Sequence, residues 1–372
     1  MIKFFLHKKF WLPMIIILLM FLVLELLLRM GVYNPLLKPT SYLGSSYERL
    51  AALKDFGLND IDWITTGDSR IDWGINHEKL RQAQKQRGVN HLRMSFGGAD
   101  FMVLQSLIDW SIKHMDSLDG VVLGVSEHKL TNNSTFTKLY PIAWPFRESL
   151  NFERYNIMPA DLKRRRHYYG LAVVNYISDI KDFITNPLDR IKELKKAQQQ
   201  KPVNIFDYNN KLVGDLCAYS LDSPESCIQT AKQLMNKKPI PSGFKSPVRL
   251  CGAPNAKLRI NSNRTTAPIK DKRRLINGWR SLIRGVLNKD KKLLFVLLPD
   301  HEMYNYLLKP KNAHQITKQI IAPFKSNPNF MLLDLREFIP QQEQCKYYND
   351  PLHLNDKGGR LLTKKVIQKL IN

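Results

Sequence analysis

The chain has 372 residues, enough for one large domain or two small ones with a full hydrophobic core. Its apolar share of 44% is ordinary for a globular protein, whereas 57 basic residues against 33 acidic ones give a formal charge of +24. Such a field favours anionic partners (nucleic acid, anionic lipid or an acidic surface polymer) and does not choose among them. No C-x-x-C pair or His/Cys cluster has zinc-site spacing, so no structural metal is expected and no cofactor is invoked.

Residues 10–28 are almost continuously apolar. At about 1.5 Å per residue they cross most of a bilayer core about 30 Å thick. Lys3, Lys8 and Lys9 lie just before this run, and by the positive-inside tendency that end stays in the cytoplasm while the body of the chain is exported. A cleaved signal peptide is the competing reading. The run is long for such a peptide, however, and Leu28-Arg29-Met30 offers no small-x-small cleavage site. Residues 1–30 are therefore expected to be a cytoplasmic tip and an uncleaved transmembrane anchor, weakened slightly by Pro13 and Glu25. The expected location is the cell membrane, single-pass, with the body periplasmic or on the outer face. Export disfavours nucleic acid as a partner and permits a disulfide among Cys217, Cys227, Cys251 and Cys345, with Cys217 and Cys227 the first pair to test.

Residues 31–59 read as a juxtamembrane connection with a short helical stretch at 47–54. A buried strand is predicted at 62–66, a helix at 77–86 bounded by Gly88, and a second strand at 91–95 ending on Gly97-Gly98. Phe101, Leu104, Leu107, Ile108 and Ile112 recur at helical spacing over 101–114, and 120–125 is a continuous apolar strand. The pattern resumes with a helix at 271–287, a strand at 292–298, a helix at 313–324, a strand at 330–335 and a closing helix at 354–371. Strands alternating with helices imply a parallel sheet covered on both faces. Residues 129–266 interrupt that alternation with a basic aromatic run, Arg164-Arg165-Arg166-His167-Tyr168-Tyr169, and a polar run at 192–201. So long an interruption reads as a subdomain or lid inserted into a domain spanning 60–372. The basic aromatic run could meet lipid head groups or an anionic glycan, or simply be solvated.

Two short stretches carry the candidate chemistry. Ile61-Asp62-Trp63-Ile64-Thr65-Thr66 is an apolar run that breaks at Gly67 and delivers Asp68, Ser69 and Arg70 together. A serine where a strand turns into a helix can hold its hydroxyl at the carboxyl edge of a sheet, with backbone N–H groups facing an incoming oxyanion. Far along the chain, Asp350-Pro351-Leu352-His353 sets a carboxylate three residues before an imidazole.

Gly67-Asp68-Ser69 followed distantly by Asp350-x-x-His353 resembles the first and last motifs of the SGNH (GDSL-like) hydrolase and acyltransferase superfamily. The resemblance implies an α/β fold with a flavodoxin-like, three-layer α/β/α parallel sheet, here carrying a large insertion and preceded by one transmembrane helix. It also implies Ser69 as nucleophile, His353 as general base and acid, and Asp350 as the group orienting the imidazole. Gly97 and Gly98 resemble the second motif, whose backbone donates to the oxyanion. The third motif departs from the family pattern: Gly124-Val125-Ser126-Glu127 lacks the usual asparagine, and Ser126 is the candidate replacement. Arg70 and His128 are candidates for substrate contact, with a salt-bridge partner and a structural histidine as their blander alternatives. His301, in Pro299-Asp300-His301-Glu302, reads as a polar strand end near the site.

The run Leu354-Asn355-Asp356-Lys357-Gly358-Gly359 also resembles the segment after the histidine in membrane-linked members. The departure in the third motif leans toward those branches, which include the D-alanine transfer proteins of teichoic-acid esterification and, more distantly, the alginate O-acetyltransferases. The function implied is that of a serine acyltransferase or esterase acting on acyl esters of an anionic cell-surface polymer or glycan, with a membrane-bound acyl-donor protein as partner. The alternatives are an SGNH-fold binding or assembly protein with weak or lost catalysis, and a simple secreted esterase.

Overall fold

The computed structural model describes residues 8–131, 141–149, 170–199, 269–302, 312–350 and 352–372, with residues 226, 229, 230, 233 and 305. Five strands, β1 (Trp63–Gly67), β2 (His91–Arg93), β3 (Gly120–Val125), β4 (Lys292–Leu297) and β5 (Phe330–Asp334), form one sheet in the order β2-β1-β3-β4-β5. Every neighbouring pair is parallel, with Trp63 opposite His91, Thr65 opposite Val122, Leu123 opposite Phe295 and Phe295 opposite Leu332. The principal helices are α1 (Lys8–Arg29), α2 (Tyr42–Phe56), α3 (Ser69–Gly74), α4 (His77–Lys85), α5 (Phe101–His114), α6 (Glu127–Thr131), α7 (Ala172–Thr185), α8 (Pro187–Gln199), α9 (Ile269–Leu287), α10 (Ala313–Ile321) and α11 (Asp356–Ile371).

Both faces of the sheet are covered, which is why β1 and β3 are buried at every position. Side chains alternate across a strand, so neighbours in sequence enter different cores. Ile64, Val121, Leu123, Leu293 and Phe295 join a cluster with α5, α9 and α10 through Leu104, Leu107, Trp279, Ile283 and Ile316. Trp63, Val122, Leu294 and Val296 join a second cluster with α3, α4 and α11 through Ile71, Leu80, Leu362 and Val366. The two threonines of β1 are satisfied internally: Thr65 Oγ1 lies 2.6 Å from His91 Nε2, and Thr66 Oγ1 donates to the Met94 carbonyl at 3.2 Å. In this strand order the direction in which strands are added reverses between β1 and β3, where the carboxyl ends of the strands leave a crevice.

Several elements differ from the sequence expectation. The connection expected to be helical only at 47–54 carries the whole of α2, because Ser41 caps it by accepting the Gly44 N–H at 3.0 Å. The six-residue α3 follows Asp68 directly and is too short to show a period. The closing helix starts at Asp356, capped by Asn355 Oδ1 on the Gly358 N–H at 3.1 Å. Leu354 instead belongs to a small antiparallel pair, β6 (Tyr348–Asp350) and β7 (His353–Leu354). Inside the stretch 129–266, α7 and α8 are regular helices, and the polar run from 192 onward is the second half of α8 as far as Gln199.

Among the described residues one helix is long and apolar enough to cross a membrane, Trp11–Arg29, with mean hydropathy 2.7. Glu25 within it is buried rather than displayed: its carboxylate accepts the N–H groups of Ala172 and Val173 and pairs with Arg29. Cys345 is disulfide-bonded. Cys217, Cys227 and Cys251, and so the pair Cys217–Cys227, lie outside the described residues, as does the basic aromatic run 164–169.

Candidate functional site

The strand-to-helix turn at the end of β1 is built on glycine. A Cβ on Gly67 would lie 2.7 Å from the Gly124 carbonyl oxygen, and one on Gly124 would run into the Ile71 side chain. Without side chains at those two positions α3 can settle directly over the β1–β3 junction. Asp68 caps α3, its Oδ1 accepting the Arg70 N–H at 3.0 Å, so the acid of the Gly-Asp-Ser run shapes the turn. Ser69 is thereby the first residue of a helix at the carboxyl end of the sheet.

The β6–β7 pair brings the second stretch to it. Ser69 Oγ lies 2.8 Å from His353 Nε2, across 284 residues of sequence. On the other side of the ring, His353 Nδ1 lies 2.9 Å from Asp350 Oδ2 and 3.0 Å from Oδ1. Asp350 is itself fixed, because its Oδ1 accepts the N–H groups of Leu352 at 2.7 Å and His353 at 2.9 Å. A carboxylate on Nδ1 requires the proton there, which leaves the Nε2 lone pair to accept from the serine hydroxyl. Trp73 covers the imidazole, with ring centroids 4.6 Å apart and planes tilted by 43°. The turn after the histidine is pinned by Asn355, whose N–H donates to Tyr347 O and whose side-chain amide donates to Lys346 O, both at 2.9 Å.

The loop after β2 completes the crevice. A Cβ on Gly97 would sit 3.9 Å from both Ser69 Cβ and Trp73 Cζ2, so the bare backbone at Gly97 borders the hydroxyl; Gly98 follows at φ +79°. The Phe96 N–H donates to Gly67 O at 3.2 Å, tying this loop to the end of β1. Among the described residues no protein acceptor takes the backbone N–H of Ser69 or Gly97, so both can point at an oxyanion.

Ser126, His128, Arg70 and His301 are all buried. Ser126 is buried, and its Oγ accepts the Lys129 N–H at 3.4 Å at the start of α6. His128 is buried in α6. Arg70 is turned inward: its guanidinium meets Asp300 Oδ1 at 2.5 Å, with Asp68 at 4.0 Å, so it is a buried salt-bridge partner beneath the Ser69 turn. His301 is buried edge-on against Tyr348, with centroids 5.2 Å apart. Burial pushes its pKa down to about 4 in spite of the neighbouring Asp350 carboxylate, which keeps the ring neutral.

Two residues that sequence reasoning passes over belong to the site. Trp73 is four residues beyond Ser69, hence on the same side of a helix, a spacing that could have drawn attention to it. Lys129 reaches from α6 to the Ala99 carbonyl at 3.2 Å and to Asp68 Oδ2 at 3.9 Å, joining the glycine loop to the Ser69 turn. No local signal marks it, because both partners come from other segments. Among the described residues no group of three His, Cys, Asp or Glu side chains is placed to hold a metal ion.

Compared with known proteins, the chain matches no protein-family model and no curated protein. The functional reading therefore stands on the arrangement of these side chains.

Proposed function

We propose that the protein is a membrane-anchored serine O-acyltransferase or esterase, built on an SGNH-type three-layer α/β/α domain and acting outside the cytoplasm on acyl esters of a surface polymer or glycan. The observation that carries this reading is the relay Asp350–His353–Ser69, with every contact between 2.8 and 3.0 Å.

In the proposed cycle Ser69 Oγ attacks the acyl carbonyl carbon while His353 Nε2 takes the hydroxyl proton. The carbonyl π pair moves onto oxygen, and the oxyanion is met by the N–H groups of Ser69 and the Gly97-Gly98 loop. As the intermediate collapses, the bond to the leaving alcohol breaks and His353 returns the proton to it, leaving an acyl-serine. A polymer hydroxyl, or water, then gives its proton to Nε2 and attacks the acyl carbon; as that intermediate collapses the acyl–Oγ bond breaks and Nε2 returns the proton to Ser69 Oγ, releasing the new ester or the free acid. Asp350 stabilises the imidazolium that exists in each half-reaction. One missing oxyanion donor costs on the order of a hundredfold in rate. The absent third-motif asparagine thus suits a slow transferase whose donor is delivered by a membrane partner, where anchoring raises the effective concentration. The net charge of +24 suits an anionic acceptor.

Mass spectrometry of surface polymers from cells carrying the native chain or Ser69→Ala tests the reading. Loss of ester-linked acyl groups in the variant is expected. Unchanged acyl content would instead favour the simple esterase or the binding protein without catalysis.

A further inference from the structure

The acidic residue of the membrane span takes no part in the chemistry above, yet its partners define a surface. Glu25 Oε1 accepts the Ala172 N–H at 2.8 Å and Oε2 accepts the Val173 N–H at 2.9 Å, while Arg29 pairs with the same carboxylate at 2.7 Å and donates to Gly170 O at 2.6 Å. Glu25 thus takes the place of an N-cap for α7, which has no side-chain cap of its own. The contact continues past the span. Tyr176 Oη donates to Asn34 Oδ1 at 2.7 Å, and the Lys38 N–H donates to Asp179 Oδ2 at 3.1 Å. Arg190 of α8 bridges Asp179 at 2.7 Å and the Leu36 carbonyl at 2.9 Å. The segment leaving the membrane is clamped along α7 and α8 rather than strung out as a tether.

This fixes the depth of α7. Glu25 lies one helical turn, about 5.4 Å, before the end of α1, and the exposed apolar surface of α1 carries on through Met30 and Val32. If that surface is embedded, the first turn of α7 lies at the level of the head groups. The inward side of α7 is already taken up by protein: Ala172 and Tyr176 pack with Leu28, Leu37 and Trp144, and Tyr176 and Asp179 are hydrogen-bonded to Asn34 and Arg190. Outward, Ile177 is 60% exposed, Ile184 71% and, on α8, Leu188 73%. Large aliphatic side chains left outward on helices whose inner side is already packed are unpartnered apolar surface, and beside a membrane span the bilayer interface is what would bury them.

We infer that α7 and α8 form an interfacial helical pair lying in the head-group region of the bilayer that α1 spans, with Ile177, Ile184 and Leu188 entering the acyl boundary. The domain is then held against the membrane at one fixed attitude. This rests on α1 being a membrane span and is independent of the Ser69 chemistry.

The test uses the full chain in lipid nanodiscs, with a nitroxide on Ile177→Cys or Ile184→Cys and the native chain carried through the same labelling as background. Ile17→Cys, in the middle of α1, is the lipid reference. Lys364→Cys, exposed on α11, is the aqueous one. The ratio of collisions with oxygen to collisions with a nickel chelate is expected to be severalfold higher at Ile177 and Ile184 than at Lys364, and below that at Ile17. An aqueous ratio at either position overturns the inference, as does exclusion of both reagents, which would mean that a protein covers the surface. An aqueous ratio at Ile17 would remove the span itself, a failure distinguishable from the first.

Discussion

Replacing Asp350 with asparagine tests the relay without changing its shape. Asp350 Oδ1 receives two backbone N–H groups, from Leu352 and His353, so the single carbonyl oxygen of an asparagine must take that position. Its NH2 group then falls where Oδ2 stands, 2.9 Å from His353 Nδ1, and sets a donor against the Nδ1 proton, which keeps only the 3.0 Å contact to an oxygen already taking two backbone N–H groups. The ring proton is driven to Nε2, where it faces Ser69 Oγ at 2.8 Å and blocks the lone pair that should take the hydroxyl proton. The wrong tautomer in a serine relay costs about ten-thousandfold in turnover, or about 5.5 kcal/mol at about 1.36 kcal/mol per tenfold. The assay is the acylation burst of the full chain with p-nitrophenyl acetate, alongside a thermal melt to show that the fold is kept. An Asp350→Asn protein acylated within tenfold of the native rate would refute the assigned tautomer and the role of the carboxylate.

Lys129→Met removes the ammonium that joins Ala99 O to the Asp68 side, and acylation is expected to slow about tenfold, a fraction of the roughly 1.5–3 kcal/mol typical of a charged hydrogen bond. Lys129→Arg should recover most of it, and an unaffected Met variant would show that the glycine loop holds itself. Gly124→Ala drives a methyl into Ile71; overpacking of this kind costs about 1–3 kcal/mol, read as a fall in Tm of several degrees, and an unchanged Tm would contradict the close approach of α3 to β3. His91 is buried beside Thr65, and desolvation lowers its pKa from the usual 6.5 to about 3; burial, with Arg93 nearby, likewise holds His77 well below its usual value. Below pH 6.5 the unfolded chain binds protons that the folded one refuses, so these groups make stability fall as pH drops from 6.5 toward about 3. Thermal melts at pH 7, 5 and 4 should show a shallower decline for His91→Gln than for the native chain, and parallel declines would assign the acid sensitivity elsewhere.

The sheet is legible in the sequence because strands buried on both faces must be continuously apolar, as Val121 to Val125 and Leu293 to Leu297 are. The spacing of Asp350 and His353 is legible too, since both lie in one short turn. Partnerships across the chain cannot be read locally. Glu25 reads as a blemish in a membrane span because its partners, Ala172 and Val173, are 147 and 148 residues away. Arg70 reads as a surface cation able to meet substrate, and its burial against Asp300 depends on a contact over 230 residues. The helix α3 leaves no trace in the periodicity because it is held by its cap and by two glycines of the sheet rather than by a periodic apolar face. A sequence pattern reports burial well and pairing poorly.

The central claim is that the Ser69 hydroxyl is activated by His353, and an active-site probe addresses it most directly. The full chain, incubated with a fluorophosphonate and digested for peptide mass spectrometry, should carry one phosphonyl adduct on Ser69, and His353→Ala should carry almost none. A native chain left unmodified at Ser69, or an adduct that forms equally fast without the imidazole, would contradict the account.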